Sequence, residues 1–347
     1  MRRFGFLLAA LVALTNAAHA APAPCDRACL AGIMDEWLNA LPRHSAAGLP
    51  LAKNIRFTEQ AAAIPIGDGL FVSATEGPTT FKIVAADPKS GQIGAFAMIK
   101  QWDKPALLAV RLKVVKGKIA EAEHVIATDF FPGGADNLAT PRQTFLDDVP
   151  KAERTPRAAM LAAANAYFNA IEQDDGDLAP FADDCVRHEN GGQTTTNAKP
   201  LPPPPGFGSP ETAEAVGRLA MLGCRDQLNT HMMQYITMIR PRHLLVIDEQ
   251  KGLVMGFPRF VHRGAVREMK IVGLQGLDSM PMHFGPMDLQ AAEMFKIAAG
   301  KIHAIEASGF LNAYMAPTGW EDRYPETYNY AVTHPHTHPY RAGTHNP

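Results

Sequence analysis

The sequence predicts an α+β fold built twice, each unit packing its helices in a curved, mainly antiparallel sheet. Three observations lead there. Residues 31–60 and 161–190 align without a gap, 130 residues apart, with Trp37-Leu38-Asn39-Ala40-Leu41 over Tyr167-Phe168-Asn169-Ala170-Ile171 and Glu59 in register with Glu189. Two further blocks recur in the same order. Asp87 through Phe96 matches Asp248 through Phe257, and Lys113 through Ile119 matches Lys296 through Ile302, with Glu123 and Glu306 in step. Within each copy, helix-period segments come first and a meander of strand-period segments follows.

Residues 1–20 read as a secretory signal. Arg2 and Arg3 form the charged start, Phe6 to Leu14 the apolar run, and Ala18-His19-Ala20 the small-x-small cleavage site. The apolar run is too short to span a bilayer, and no other stretch is long and apolar enough to do so. A lipid-anchored form is disfavoured because Ala23-Pro24 precedes Cys25. The chain is therefore expected to be periplasmic in a diderm bacterium and secreted otherwise, with no membrane span.

Each copy then opens with an amphipathic helix, on Leu30, Ile33, Trp37 and Leu41 in the first and on Leu161, Ala164, Phe168 and Ile171 in the second. A short proline-bearing segment and a strand follow, Ile55–Gln60 and Cys185–Asn190. Next comes a helical stretch, short in the first copy (Leu70–Thr75) and long in the second (Glu211–Gln227). Strands close the first copy at 79–86, 92–101, 106–115 and 118–127, separated by Asp87-Pro88 with Gly91, Asp103-Lys104-Pro105 and Lys116-Gly117. The expected boundaries are a first domain at 21–135 acting as scaffold, a linker at 136–155, a larger site-bearing domain at 156–320 and a tail at 321–347. The second copy carries two inserted loops, Gly191–Pro210 with Pro202–Pro205 in polyproline II, and Gly273–Gln290. The tail holds His334, His336, His338 and His345 without a hydrophobic period. It reads as disordered, with metal binding as the alternative.

Four cysteines in an exported chain suggest disulfides. The pairing local to each copy is Cys25–Cys29 and Cys185–Cys224, with two free thiols as the alternative for Cys25 and Cys29. The formal net charge is −2, falling to −4 without Arg2 and Arg3, and no basic run exceeds two residues. Phosphate contacts need clustered Lys and Arg, so a nucleic-acid partner is not expected.

The element order and the closing hairpin around Lys113-Val114 and Gly117-Lys118-Ile119 resemble the SnoaL-like, nuclear transport factor two-like superfamily. The stretches "DCVRHENG" (184–191), "PLPPPPGFG" (200–208), "IRPRHLLVIDEQKGLV" (239–254) and "YMAPTGW" (314–320) resemble a group of uncharacterised exported bacterial and fungal proteins within it. The resemblance covers about residues 25–320. It implies two tandem cone-shaped domains, and interiors that can host dehydratases, isomerases, cyclases and lyases. It supplies no shared catalytic residues.

The candidate residues come from strand parity. Ile55 and Phe57 share a face with Glu59, so Glu59 points inward, and by register Cys185, Arg187 and Glu189 do the same in the second copy. The second interior is the more polar, which places the site there. Glu189 is the candidate general base, with a structural Arg187–Glu189 pair as the competing reading. His262, at the end of a strand, is a candidate acid or base, or else an exposed turn residue. Tyr235 is a candidate for polarising a substrate oxygen, or else a core residue. Arg187, His231 and Arg240 are candidates for holding substrate, although Arg240 and Arg242 can equally form a solvated or interdomain face. His188 has the opposite parity and is expected on the outer face. No metal site, cofactor motif, nucleophile elbow or dinucleotide fingerprint is present in the sequence. The expected function is a cofactor-independent lyase, dehydratase or isomerase acting on a small apolar or aromatic molecule. The alternative is a non-catalytic binding or assembly module. The expected partner is a small-molecule ligand, and further copies of the chain remain open.

Overall fold

The computed structural model describes residues 25–131, 133–202, 210–282 and 285–321. The expected signal segment, nearly all of the tail and most of the polyproline run lie outside them.

The first half begins with α1 (Arg27–Ala40), whose N-terminus is capped by the Asp26 carboxylate accepting from Cys29 N–H at 2.9 Å. There follow β1 (Leu51–Glu59), β2 (Ala62–Ala63), α2 (Leu70–Ser73), β3 (Ala74–Glu76), β4 (Lys82–Asp87), β5 (Gln92–Gln101), β6 (Lys104–Val115) and β7 (Lys118–Ala127). The sheet order is β2-β1-β7-β6-β5-β3, with β4 also on β5. Two short helices, α3 (Gly134–Asn137) and α4 (Gln143–Leu146), lead to α5 (Arg157–Gln173). The second half continues with β8 (Phe181–Glu189), β9 (Gly192–Gln193), α6 (Pro210–Leu219), α7 (Cys224–Asn229), β10 (Met238–Ile239), β11 (Leu244–Asp248), β12 (Leu253–Gly256) and β13 (Arg259–His262). It ends with β14 (Glu268–Lys270), β15 (Ser279–Pro281), β16 (Met287–Ala298) and β17 (Lys301–Ala313). Its sheet order is β10-β13-β16-β17-β8-β9, with β12 on β16 and β11 on β12, while β14 and β15 form a separate hairpin.

This corrects the expected class. The fold is not α+β, with helices packed in a mainly antiparallel sheet to make two cones. Strand takes 38% of the described residues against 22% in helix, and the sheets are curled and mixed. β1 runs parallel to β7, and β8 parallel to β17. The helical signals shrink for local reasons. The stretch expected at 211–227 divides into α6 and α7 around Gly223, and the second helical stretch of the first half is a single turn, α2. The Met- and Pro-rich segment expected to be a loop contains β15, which pairs with β14.

Apolar residues of α1 and of the inner face of the first sheet form one core, among them Trp37, Phe57 and Phe71. Met160, Tyr167 and Phe168 of α5 join Phe260, Phe295 and Ile305 in a second. A third core lies between the outer faces of the two sheets, with Phe81, Phe96 and Leu107 of the first against Leu253, Met255 and Met294 of the second. Phe145 of α4 is fully buried there too. Two ion pairs cross this boundary reciprocally. Arg27 at the start of α1 donates to Asp248 at 2.7 Å, and Arg157 at the start of α5 donates to Asp87 at 2.9 Å.

Disulfides join Cys25 to Cys29 and Cys185 to Cys224. Both fit an oxidising compartment. Among the described residues, no helix is long and apolar enough to cross a membrane.

Candidate functional site

Alternation along β8 puts Cys185 and Arg187 on the inner face of the second sheet, with Glu189 next in the same register. The strand ends in a two-residue turn at Asn190 and Gly191, both at positive φ (42° and 76°), the Asn-Gly arrangement that suits a tight hairpin. Arg187 is 3% exposed. Its Nη2 pairs with Glu189 Oε1 at 2.8 Å, and its backbone N–H donates to the buried Thr195 Oγ1 at 2.8 Å. Glu189 keeps 36% of its side chain exposed and stands at the accessible end of the pair.

Two further groups meet Arg187 inside. Tyr167 of α5 lies within range of its charge: burial raises the Tyr167 hydroxyl well above the usual phenol range, and Arg187 opposes that rise. Glu293 of β16 is 4% exposed. Burial pushes its carboxyl up to about 8, the charge of Glu189 adds to that, and Arg187 opposes it. Glu293 is therefore largely protonated at neutral pH. Arg187 Nε and Nη1 and Glu293 Oε2 are buried without a hydrogen-bond partner among the described residues. Buried polar groups are nearly always paired, so three orphans around one guanidinium mark a place built for something other than packing.

His262 lies on β13, buried rather than in an exposed turn. Burial lowers it to about 4, so its ring is neutral near pH 7, and its Nδ1 has no partner among the described residues. The Tyr235 ring stacks on it, 5.3 Å between centroids at 21°. Burial pushes the Tyr235 phenol up to about 12, and the charge of Glu189 contributes to that shift. The structure thus brings Arg187, Glu189, Tyr235 and His262 to the same interior.

Arg240 and His231 are placed elsewhere. Arg240 pairs with Glu172 of α5 at 2.9 Å, as does Arg242 at 2.8 Å, and Glu172 Oε1 also accepts from the Ile239 N–H. These two arginines tie the segment before β11 to the helix. His231 occupies the turn after α7 at φ 63°. His188 faces outward, where Arg142 Nε donates to its Nε2 at 3.0 Å, and burial followed by the Arg142 charge lowers it to about 3.

Glu293 and Tyr167 were not among the sequence candidates. Glu293 had a signal, since it shares strand parity with Ala291, Phe295 and Ile297 and is the one charged residue on that apolar face.

The first half fills the equivalent space. Trp37 Nε1 donates to His124 Nε2 at 2.9 Å, and His124 Nδ1 lies 3.0 Å from Glu59 Oε2, which also accepts from Leu70 N–H at the start of α2. Trp37, Phe57, Phe71 and His124 pack edge to face. Glu59 is thereby a structural acceptor inside a closed aromatic core. Among the described residues there is no group of three or more His, Cys, Asp or Glu able to hold a metal ion.

A family described as "Domain of unknown function (DUF8021)" matches residues 153–309, the part of the chain that contains this cluster. No curated protein matches the chain. Among solved structures, PrhC from Penicillium brasilianum NBRC 6234 is similar at 10% identity and a TM-score of 0.23, over 44% of this chain and 82% of that one.

Proposed function

We propose that the interior of the second half carries out cofactor-independent proton transfer on a small, largely apolar or aromatic molecule, as a lyase, dehydratase or isomerase does. The observation that carries the reading is the buried Arg187 with two donors unmatched, set between a carboxylate and a neutral carboxyl. Arg187 and Glu189 balance one another in charge, and Glu293 is neutral. A neutral substrate with a carbonyl-type oxygen fits that balance better than an anion, which would bring an uncompensated charge into a buried site. Its oxygen would accept from Arg187, whose donors stabilise negative charge as it develops. Glu189 would take the proton and Glu293 would give one. Tyr235 and His262 would form the adjoining wall.

The chain would be an exported, duplicated unit with the first half as scaffold. Matching sheet orders and the reciprocal Arg27–Asp248 and Arg157–Asp87 pairs support the duplication, since reciprocal contacts are what two related units make across a two-fold relation. The two disulfides support export.

The test uses aromatic ketones such as 1-indanone and phenylacetone in D₂O, with loss of the α-proton signal followed by proton NMR. The protein should accelerate exchange. Glu189→Gln should lower the rate by ~10²-fold or more, and Glu59→Gln should leave it unchanged. Equal losses at both glutamates, with equal falls in melting temperature, would make both structural and end this reading. The Arg187–Glu189 pair also suits a binding module without turnover; ligand bound at Arg187 with no exchange would establish that second reading.

A further inference from the structure

A second place in the molecule has the makings of a binding site, on the first half and apart from the Arg187 cluster. β5 and β6 are joined by a two-residue turn, Trp102-Asp103, with Gln101 opposite Lys104. Both turn residues have positive φ, 49° and 61°. Turns of this kind favour Asn and Gly, and a bulky aromatic at positive φ is an outlier that surrounding contacts must hold in place. Here two contacts do so. Trp102 N–H donates to Ser73 O at 3.0 Å, and Asp103 N–H donates to Thr75 Oγ1 at 3.0 Å.

The result is a tryptophan held out into solvent, 63% exposed, whereas Trp37 and Trp320 are fully buried. Side chains held in such conformations cluster at ligand-binding sites. Beside Trp102 lies a groove of about 380 Å³ lined by Gln101, Trp102, Lys104, Pro105, Thr128 and Phe130. That volume is within the range of small-molecule sites. Its apolar surfaces are Trp102, Pro105 and Phe130. Its polar groups are an amide, a hydroxyl and an ammonium, which together donate and accept hydrogen bonds.

We propose that this groove binds a pyranose sugar, with the flat C–H face of one ring stacked on Trp102 and its hydroxyls bonded by Thr128, Lys104 and the amide of Gln101, whose Nε2 is already held by Ser73 Oγ at 3.0 Å. A sugar of glucose configuration carries its hydroxyls around an apolar face, and the groove offers the complement, an aromatic platform with polar groups beside it. A lone cation among neutral polar groups does not specify an acid.

The three tryptophans make the test direct, because Trp102 alone is solvent-facing. The full-length mature chain is titrated with cellotriose, xylotriose and tri-N-acetylchitotriose while intrinsic fluorescence is recorded. At least one should shift the emission to the blue, half-saturating on the order of 1 mM, the weak end of specific recognition. Trp102→Ala should abolish the shift, and Trp102→Phe should retain binding detected by ligand-observed NMR. Both variants should melt no lower than the parent, since the side chain is exposed and strained where it stands. No spectral or NMR response to any of the three sugars at about 10 mM, roughly ten times that half-saturation, would overturn the proposal. So would binding that survives Trp102→Ala, or, with glucuronate titrated alongside, a response confined to glucuronate and lost in Lys104→Gln, which would make the groove an anion site.

Discussion

Glu293→Gln should change how stability depends on pH, in a window fixed by the groups around it. In the folded chain burial holds the Glu293 carboxyl at about 8, against an ordinary value of 4.5. A carboxyl raised in this way contributes stability that is present at low pH and is lost as the pH climbs toward its folded value, because the unfolded chain releases the proton first. Glu306, at about 7, and Asp288, at about 6, act in the same direction, both through burial. Three histidines oppose them. Burial depresses His188 to about 3, and His243 and His262 to about 4, so the stability they contribute is present above 6.5 and is lost as the pH falls below it. Glu123, also raised by burial, joins the carboxyls, and the opposing slopes offset one another in part below pH 6.5. Above it, Glu306 contributes only to about 7, and Glu293 continues to about 8. At about 1.4 kcal/mol per pH unit, Glu293 alone should remove about 2 kcal/mol between pH 6.5 and 8. For a unit the size of the second half, that is a fall in melting temperature of roughly 4–8 °C. Thermal melts of parent and Glu293→Gln at half-unit steps from pH 5 to 9 check it. The parent should fall above pH 6.5, and between pH 6.5 and 8 the variant should fall less than the parent by about 4–8 °C. Parallel profiles would mean that Glu293 is ionised against Arg187 at neutral pH, and its role as proton donor would go with that result.

The remaining expectations concern the frame. Arg142→Met leaves the fully buried Glu306 without its ion partner, at a cost of about 3–5 kcal/mol if Glu306 stays charged. Because Glu306 titrates near 7, chemical denaturation should show a larger loss at pH 8 than at pH 6, and equal losses would refute the pairing. Opening the Cys185–Cys224 bridge, which spans 39 residues, should cost about 4 kcal/mol in the chain-entropy account. Non-reducing peptide mapping that finds both thiols alkylatable in the native protein would remove the bridge altogether.

Local signals in the sequence reported what is local. The strands at 92–101 and 118–127 were legible because alternation is bounded by Gly91 and by Lys116-Gly117, and the structure has β5 and β7 at those limits. The inward face of Arg187 followed from parity alone. The class did not follow, because the balance of helix to strand depended on where helices stop and on which segments pair. The parallel pairing of β1 with β7 joins segments about 60 residues apart and leaves no mark in either. Arg240, readable from sequence either as a substrate-holding cation or as part of a solvated or interdomain face, is paired with Glu172 on a helix 68 residues earlier, a partner that nothing beside it in the sequence announces. Glu293 shows the same thing from the other side. Its position on an apolar strand face was visible in the sequence, but its protonation follows first from how deeply the fold buries it, with the Glu189 charge adding and Arg187 opposing from another strand.

The two interiors differ in how completely their polar groups are paired. Trp37, Phe57 and His124 close the first interior, and Glu59 is consumed in orienting His124 and capping α2. In the second interior Tyr167 and Arg187 stand at the positions that align in sequence with Trp37 and Phe57, and Arg187 Nε and Nη1 have no hydrogen-bond partner among the described residues. Unmatched donors loosen a core, because buried polar groups without partners cost stability. The outer layer works against that loss. Asp87 holds the start of α5 through Arg157, and Phe96 and Leu107 cover Met255 and Met294. Beyond β17, Gly319 O accepts from Arg56 Nε at 3.1 Å while the buried Trp320 ring lies 4.8 Å from the Arg111 guanidinium. The segment following β17 is thus fastened to the first sheet. The site proposed around Arg187 would then be backed, on the outer side of its sheet, by a first half whose own interior is closed with aromatic rings.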